Sequence, residues 1–337
     1  MSSAEDRWPQ RAGGPVVWSV PMRVRFREIT VREGMLVRGD AGWGEWSPFL
    51  EYSPSEAEPW LRAAEEAAAG DWPAPVRDSV PVNVTVPAVG PEAAYRIVAA
   101  GGSTTAKVKV AEPGQTLGDD LARVEAVRDA LGPAGRVRVD ANGGWDVDAA
   151  AAAVRALDRA VGLEYAEQPC ASVEELAALR RRVEVPIAAD ESIRRAADPF
   201  RVRELEAADI AVLKVQPLGG VRACLRIAEE LGLPVVVSSA LETSVGLSAG
   251  VALAAALPSL PYACGLATGQ LLERDLARPA LLPVGGRLPV STAPAGPPPV
   301  DATLLARAAA APDRVAAWSA RLAEVRGFRA VRQDRGP

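Results

Sequence analysis

Apolar and polar side chains alternate along the first 72 residues, most clearly in Met22-Arg-Val-Arg-Phe-Arg-Glu-Ile-Thr30. Period-two alternation is the signature of a half-buried antiparallel strand. Residues 56–70 then take helical spacing, with Pro59 early and Gly70 past the end. Six of the eight tryptophans fall in this stretch, which gives a small α+β unit, assigned to residues 1–80, a core of its own. From about residue 79 short β-branched runs alternate with polar loops and Ala/Leu/Arg helices. Strands are predicted at 81–86, 106–110, 137–141, 163–166, 186–189, 210–215 and 235–238, with a weaker one at 263–266. Helical patterns lie between them at 119–131, 148–157, 173–183, 221–231 and 245–257. Eight strands joined by helical crossovers run parallel and can close into a (β/α)8-type barrel over residues 81–285. An open doubly wound α/β sheet would show the same beat, but no Gly-x-Gly-x-x-Gly follows the first strand to support a dinucleotide site. Residues 286–337 contain a Pro/Ala-rich linker at 294–299 and a helix near 315–325, expected to pack back on the cap or the barrel.

Composition removes several classes of function. There is no histidine, which excludes Ser–His–Asp and Cys–His catalysis and histidine-ligated zinc. Cys170, Cys224 and Cys264 lie too far apart for a Cys-x-x-Cys pair, and three thiols suit a reducing cytoplasm. Lys plus Arg number 38 against 43 Asp plus Glu, a net charge of −5 without a dense basic run. Nucleic acid and anionic membrane surfaces are therefore unexpected partners. The apolar run 245–257 is broken by Gly246 and Gly250 and stopped by Pro258, short of the roughly 20 residues a spanning helix needs. Residues 1–14 lack the apolar core of a signal peptide. A cytoplasmic protein acting on a small molecule is the expectation; a monomer is favoured, although sequence alone does not choose an oligomeric state.

The chemistry collects at the strand ends. Lys107-Val-Lys109 sits on the second barrel strand, and alternation sends both ammonium groups to the interior. Desolvation and mutual repulsion are expected to favour proton loss from such a pair. Asp140-Ala-Asn142 ends the third strand, Glu167-Gln-Pro the fourth, Asp190-Glu191-Ser192 the fifth, Lys214 the sixth and Ser238-Ser239 the seventh. Each step spans one βα unit, so one polar group recurs at the C-terminal end of successive strands, where barrel enzymes build their sites. Any one of these residues alone is ordinarily an interior salt bridge or a loop charge. Six in register point to a site. Asp140, Glu167 and Asp190 form an all-oxygen set suited to Mg²⁺, with Mn²⁺ as a possible substitute.

These motifs, with Gly42-Trp-Gly-Glu-Trp-Ser-Pro48, resemble the enolase superfamily over roughly residues 17–285. The resemblance implies a modified (β/α)7β barrel under an α+β capping domain. Without histidine the chain is similar to the lysine/lysine branch of muconate-cycloisomerase type. Val20-Pro21-Met22 with the Arg-rich stretch after it, Trp43 to Tyr52, and Ala106 to Gly114 resemble the actinobacterial hydro-lyases of that branch. The implied reaction dehydrates a succinyl-hydroxycyclohexadiene carboxylate of menaquinone synthesis through a metal-stabilised enediolate. Lys109 is then the base, Lys107 tunes it, and Lys214 lies across the ring. Asn142, Ser238, Ser239, Gly265 and Arg27 are candidate substrate contacts, with Arg25 less favoured. Dipeptide epimerases carry Asp-x-Asp on the eighth strand; Cys264-Gly-Leu-Ala-Thr-Gly-Gln270 has no acid, which disfavours a cationic substrate. N-succinylamino-acid racemization and muconate cycloisomerization remain alternatives on the same scaffold, and a non-catalytic binding barrel is the alternative of another kind. Gly246-Leu-Ser-Ala-Gly250 matches a nucleophile elbow but lies in a helical run, and Gly219-Gly220 reads as a plain loop. Glu191 is expected to point away from Asp190's side, and Cys170 to be buried and inert.

Overall fold

The computed structural model describes residues 15–26, 28–70, 72–196, 198–290 and 296–334, with side chains to residue 331. Arg27, one of the predicted substrate contacts, lies outside the described residues. The chain opens with β1 (Val16–Phe26), β2 (Ile29–Gly39) and β3 (Gly42–Trp46), an antiparallel three-stranded sheet, followed by α1 (Pro54–Ala69). The alternating run 22–30 is therefore not one strand. It turns at Glu28, whose φ of 66° reverses the chain, and residues on either side of the turn pair as Phe26 with Ile29.

Helix α1 begins where Ser53 and Glu56 satisfy each other's backbone amides in a capping box. It ends at Gly70, in the left-handed region that glycine tolerates. Its approach to the sheet depends on Gly44: a Cβ there would stand 1.8 Å from the Ala64 carbonyl oxygen. Trp46 donates to the Ala57 carbonyl at 3.1 Å and meets Trp318 edge-on at 5.4 Å.

The barrel follows. Its elements are β4 (Ser79–Pro81), β5 (Val84–Val86), α2 (Pro91–Gly101), β6 (Thr105–Lys109), α3 (Leu117–Leu131), β7 (Arg136–Asp140), α4 (Val147–Val161) and β8 (Leu163–Glu167). Then come α5 (Val173–Arg180), β9 (Ile187–Ala189), α6 (Glu191–Arg194), α7 (Arg201–Glu204), β10 (Ile210–Lys214), α8 (Val215–Leu218), α9 (Val221–Leu231), β11 (Val235–Ser238) and α10 (Ser244–Ala256). Strands β5 to β11 form one parallel sheet of seven in chain order. The predicted eighth strand is not a full strand. Cys264 bridges Val82 and Gly265 bridges Ser238, so two residues join the sheet's edges. Strand β12 (Arg287–Pro289) pairs with β4 at the base, and α11 (Ala302–Arg307) and α12 (Pro312–Asp334) return to the cap. Trp318, Leu322 and Val325 of α12 are buried with Trp46, Trp60 and Leu61 of the cap. Among the described residues no helix is long and apolar enough to cross a membrane.

Strand alternation layers the barrel interior. Arg138, Tyr165, Ala188, Val212 and Val236 each lie two residues before a strand-end polar group, and all are at most 2% exposed. Ile210, one strand repeat below Val212, packs with them. Arg138 locks this floor through Tyr165 Oη at 2.9 Å and the Ala263 carbonyl at 2.7 Å. The lower barrel is thus closed, and polar groups collect in the layer above it.

Two glycines give opposite expectations. Gly44→Ala should lower the unfolding free energy by on the order of 3 kcal/mol, because backbone must move to admit the methyl. Gly327→Ala, in open space on α12, should raise it by up to about 1 kcal/mol through helix propensity. Urea denaturation of both variants is the check, and equal effects would contradict the packing at Gly44.

Candidate active site

At the C-terminal end of the barrel a cavity of about 340 Å³ opens between barrel and cap. Lys107, Lys109, Asp140, Lys214, Ser238, Ser239 and Gly265 line it from the barrel. From the cap come Phe26, Ile29, Phe49 and Tyr52. Asp140 and Glu167 are paired neighbours on β7 and β8, and Lys109 pairs with Asp140 across β6 and β7.

The charges interlock. Lys107 Nζ bonds Glu167 Oε1 at 2.6 Å and lies 3.0 Å from Asp140 Oδ2. Lys109 Nζ donates to that same Asp140 oxygen at 2.6 Å and to Asn142 Oδ1 at 2.5 Å. Lys214 Nζ bonds Asp190 Oδ2 at 2.6 Å, whose other oxygen takes Arg194 Nε at 2.8 Å. Asn142 Nδ2 and Arg194 both donate to Glu191 Oε1. Lys107, Lys109, Lys214, Asp140, Glu167 and Asp190 are each at most 7% exposed.

Burial disfavours every one of these charges, so their partners decide the outcome. Lys107 and Lys109 outweigh burial at Asp140 and hold it well below the usual carboxylate range. Arg194 and Lys214 do the same for Asp190. At Glu167 burial and the Asp140 charge prevail over Lys107 and push the carboxyl up to about 7. Lys107 departs from expectation. Burial does work against its charge, but Asp140 and Glu167 outweigh it and lift its pKa above the ordinary lysine range. Sequence reasoning weighed the two lysines against each other and left out the carboxylates between them.

As the side chains stand, no group of three histidine, cysteine, aspartate or glutamate residues among the described residues is disposed to hold a metal ion. Each carboxylate instead engages a lysine or arginine. The donor chemistry nevertheless fits a hard divalent cation. The three acids supply only oxygen, and Glu167 Oε2 is buried without a hydrogen-bond partner among the described residues.

The remaining predicted residues divide. Ser239 donates to the Gly265 carbonyl at 2.9 Å and shares a 2.6 Å hydrogen bond with Thr268. Ser238 stands where a Cβ on residue 265 would meet its hydroxyl at 2.5 Å, which explains glycine there. Arg25 faces outward to Glu28 at 3.0 Å, with its side chain 64% exposed. Phe26 takes the inward position, with Lys109 Nζ 5.4 Å from its ring centroid. Sequence reasoning missed Phe26, Tyr52, Thr85, Arg194 and Thr268, all of which line the cavity. Thr85 alone carried a usable signal: it follows strand alternation and pairs with Lys107. The helical run 245–257 is helix α10, and Ser248 bonds its own backbone at Val245. The amides after Gly219-Gly220 are taken by the Glu66 carboxylate, which accepts from Val221 and Arg222. Cys170 is buried, and burial pushes its thiol up to about 12.

The cap is fastened beside the site by Glu45. Its carboxylate accepts from the Thr243 and Gly246 amides at the start of α10, at 3.2 and 3.1 Å, and from Ser47 Oγ at 2.8 Å. Burial pushes Glu45 up to about 7, against hydrogen bonds from Thr243 and with help from Glu242.

Residues 17–68 match the family described as enolase N-terminal domain-like, and residues 91–295 that described as enolase C-terminal domain-like. Among solved structures, muconate lactonizing enzyme from Pseudomonas fluorescens superposes with a TM-score of 0.76 at 23% identity, over 88% of this chain and 98% of that one. The L-Ala-D/L-Glu epimerase of Bacillus subtilis gives 0.72 at 24% identity, over 85% and 96%. Cap and barrel together define the class as enolase-like. The o-succinylbenzoate synthase of Thermobifida fusca is 66% identical over 95% of this chain and 98% of its own length. That of Mycolicibacterium smegmatis is 59% identical over 88% and 91%. The chain belongs to the o-succinylbenzoate synthase family of the enolase superfamily.

Because the folded Glu45 binds its proton more tightly than the unfolded chain, its contribution to stability is full below pH 4.5 and is lost as pH rises to about 7. Glu45→Gln should therefore reduce the fall of stability across that window by up to one proton's worth, about 1.4 kcal/mol per pH unit. Urea midpoints at several pH values measure it; an unaltered slope would contradict the assignment.

Proposed function

We propose that the chain dehydrates 2-succinyl-6-hydroxy-2,4-cyclohexadiene-1-carboxylate to o-succinylbenzoate, a step of menaquinone biosynthesis, with Lys109 as the proton-transferring group. The activity is that named for relatives 59–66% identical over nearly the full chain. The observation that carries the residue roles is the pair of buried lysines, Lys109 on β6 and Lys214 on β10, lining one cavity from strands four places apart in the sheet.

The proton to be removed is α to a carboxylate and only weakly acidic, so base and charge stabilisation must act together. Lys109 takes this proton in its neutral form and, as an ammonium, returns it to the departing hydroxide on the same face. Lys107 is held charged by Asp140 and Glu167, and a fixed positive charge two residues away lowers the proton affinity of Lys109. Lys214, anchored by Asp190, offers positive charge from the far side to the developing enediolate. A divalent cation held by Asp140, Glu167 and Asp190, Mg²⁺ or Mn²⁺, would act as a Lewis acid toward the substrate carboxylate. Ser238 suits hydrogen bonding to the succinyl end, beside Ser239 and Gly265, whose donors go to the Gly265 and Val237 carbonyls, and Asn142 orients Lys109 through its 2.5 Å contact. Aromatic product makes the overall reaction downhill once the proton has left. Three buried free thiols fit a reducing, cytoplasmic setting.

Ultraviolet absorbance of the aromatic product follows the reaction directly. Turnover should vanish with EDTA and return with Mg²⁺ or Mn²⁺. Lys109→Ala should lose about 10³-fold or more in kcat while still binding the cation by calorimetry. Substantial dehydration by that variant would remove Lys109 from its role.

A further inference from the structure

Arg32 of β2 belongs to none of the sequence motifs, yet it is 3% exposed and reaches from cap to barrel. Its Nε donates to the Leu241 carbonyl at 3.1 Å and its Nη2 to the Ala240 carbonyl at 3.1 Å. The same Nη2 donates at 2.6 Å to the carbonyl of Ser47 in the cap, and the guanidinium carbon lies 4.7 Å over the Phe49 ring. Phe49, Ala240 and Leu241 all line the cavity, beside Ser238 and Ser239. Leu241 has a φ of 66°, a left-handed conformation that a leucine side chain disfavours and that persists only when surroundings hold it. A planar fork bonded to two successive carbonyls is such a hold, and a lysine cannot reproduce its geometry.

We propose that Arg32 is a positioning residue that sets Phe49 of the cap and the 240–241 turn of the barrel as one wall of the substrate cavity. This rests on the functional reading above. Lys109, which moves the proton, stands on β6, five places from β11 in the sheet order, so loosening this wall weakens substrate retention more than chemistry.

The test is steady-state kinetics of Arg32→Met, Arg32→Lys and Phe49→Leu on the cyclohexadiene, each first shown to be folded by circular dichroism and thermal melting. KM should rise about tenfold or more in both Arg32 variants with kcat within about threefold. Phe49→Leu should raise KM by a smaller factor, and its effect should be less than additive with Arg32→Lys. If Arg32→Met does not fold, Arg32→Lys and Phe49→Leu carry the same reading. A KM within twofold of the unaltered chain in the folded Arg32 variants, or a fall in kcat with KM unmoved, would overturn the proposal. Absence of turnover in the unaltered chain would sink the functional reading instead.

Discussion

Six buried charges at the mouth of the barrel set the terms for everything else. Three carboxylates and three ammonium groups are held nearly out of solvent, a cost that only close pairing offsets. Each carboxylate is met: Asp140 by Lys107 and Lys109, Glu167 by Lys107, and Asp190 by Lys214 and Arg194. Breaking one pair would leave its partner stranded in a low-dielectric basin, so the groups act as a unit and their protonation is shared. A parallel barrel is the architecture that brings them together. It points successive strand ends at one place while Arg138, Tyr165 and apolar side chains close the layer beneath.

Pairing also explains how a cluster of acids exists without collapsing its own charge. Asp140 and Asp190 stay ionised because cations flank them, whereas Glu167, between the other two acids, is driven toward protonation. The cap then covers the basin with its own buried polar anchors. Glu45 plugs the start of α10, Tyr52 Oη accepts from Arg194 at 2.8 Å, and Arg32 grips the turn after β11. Two of these anchors touch segments that carry cavity residues. The cap is therefore part of the site's geometry as well as its lid.

Much of this was legible before any coordinates. Strand alternation placed Lys107 and Lys109 on one inward face, and the even spacing of Asp140, Glu167, Asp190 and Lys214 exposed one polar group per βα unit. Local rules sufficed because each residue's position follows from its own strand. What escaped was set by contacts distant in sequence. Tyr52 and Arg194 meet across 142 positions, and Arg32 and Leu241 across 209, with no local pattern to announce either pair. The turn at Glu28 was hidden because alternation continues through it. The eighth strand, short of β-branched residues, shrank to two bridges for want of propensity. The pKa direction of Lys107 was misjudged because its acidic partners come from neighbouring strands.

We propose that Asp140, Glu167 and Asp190, the same carboxylates that pair with Lys107, Lys109 and Lys214, together hold one cation. Electron paramagnetic resonance of Mn²⁺ titrated into the chain tests it most directly. One tight site per chain is expected, weakened at least tenfold in both Asp190→Asn and Glu167→Gln, with the fold intact by circular dichroism. Equal Mn²⁺ affinity in the unaltered chain and the two variants would contradict the account.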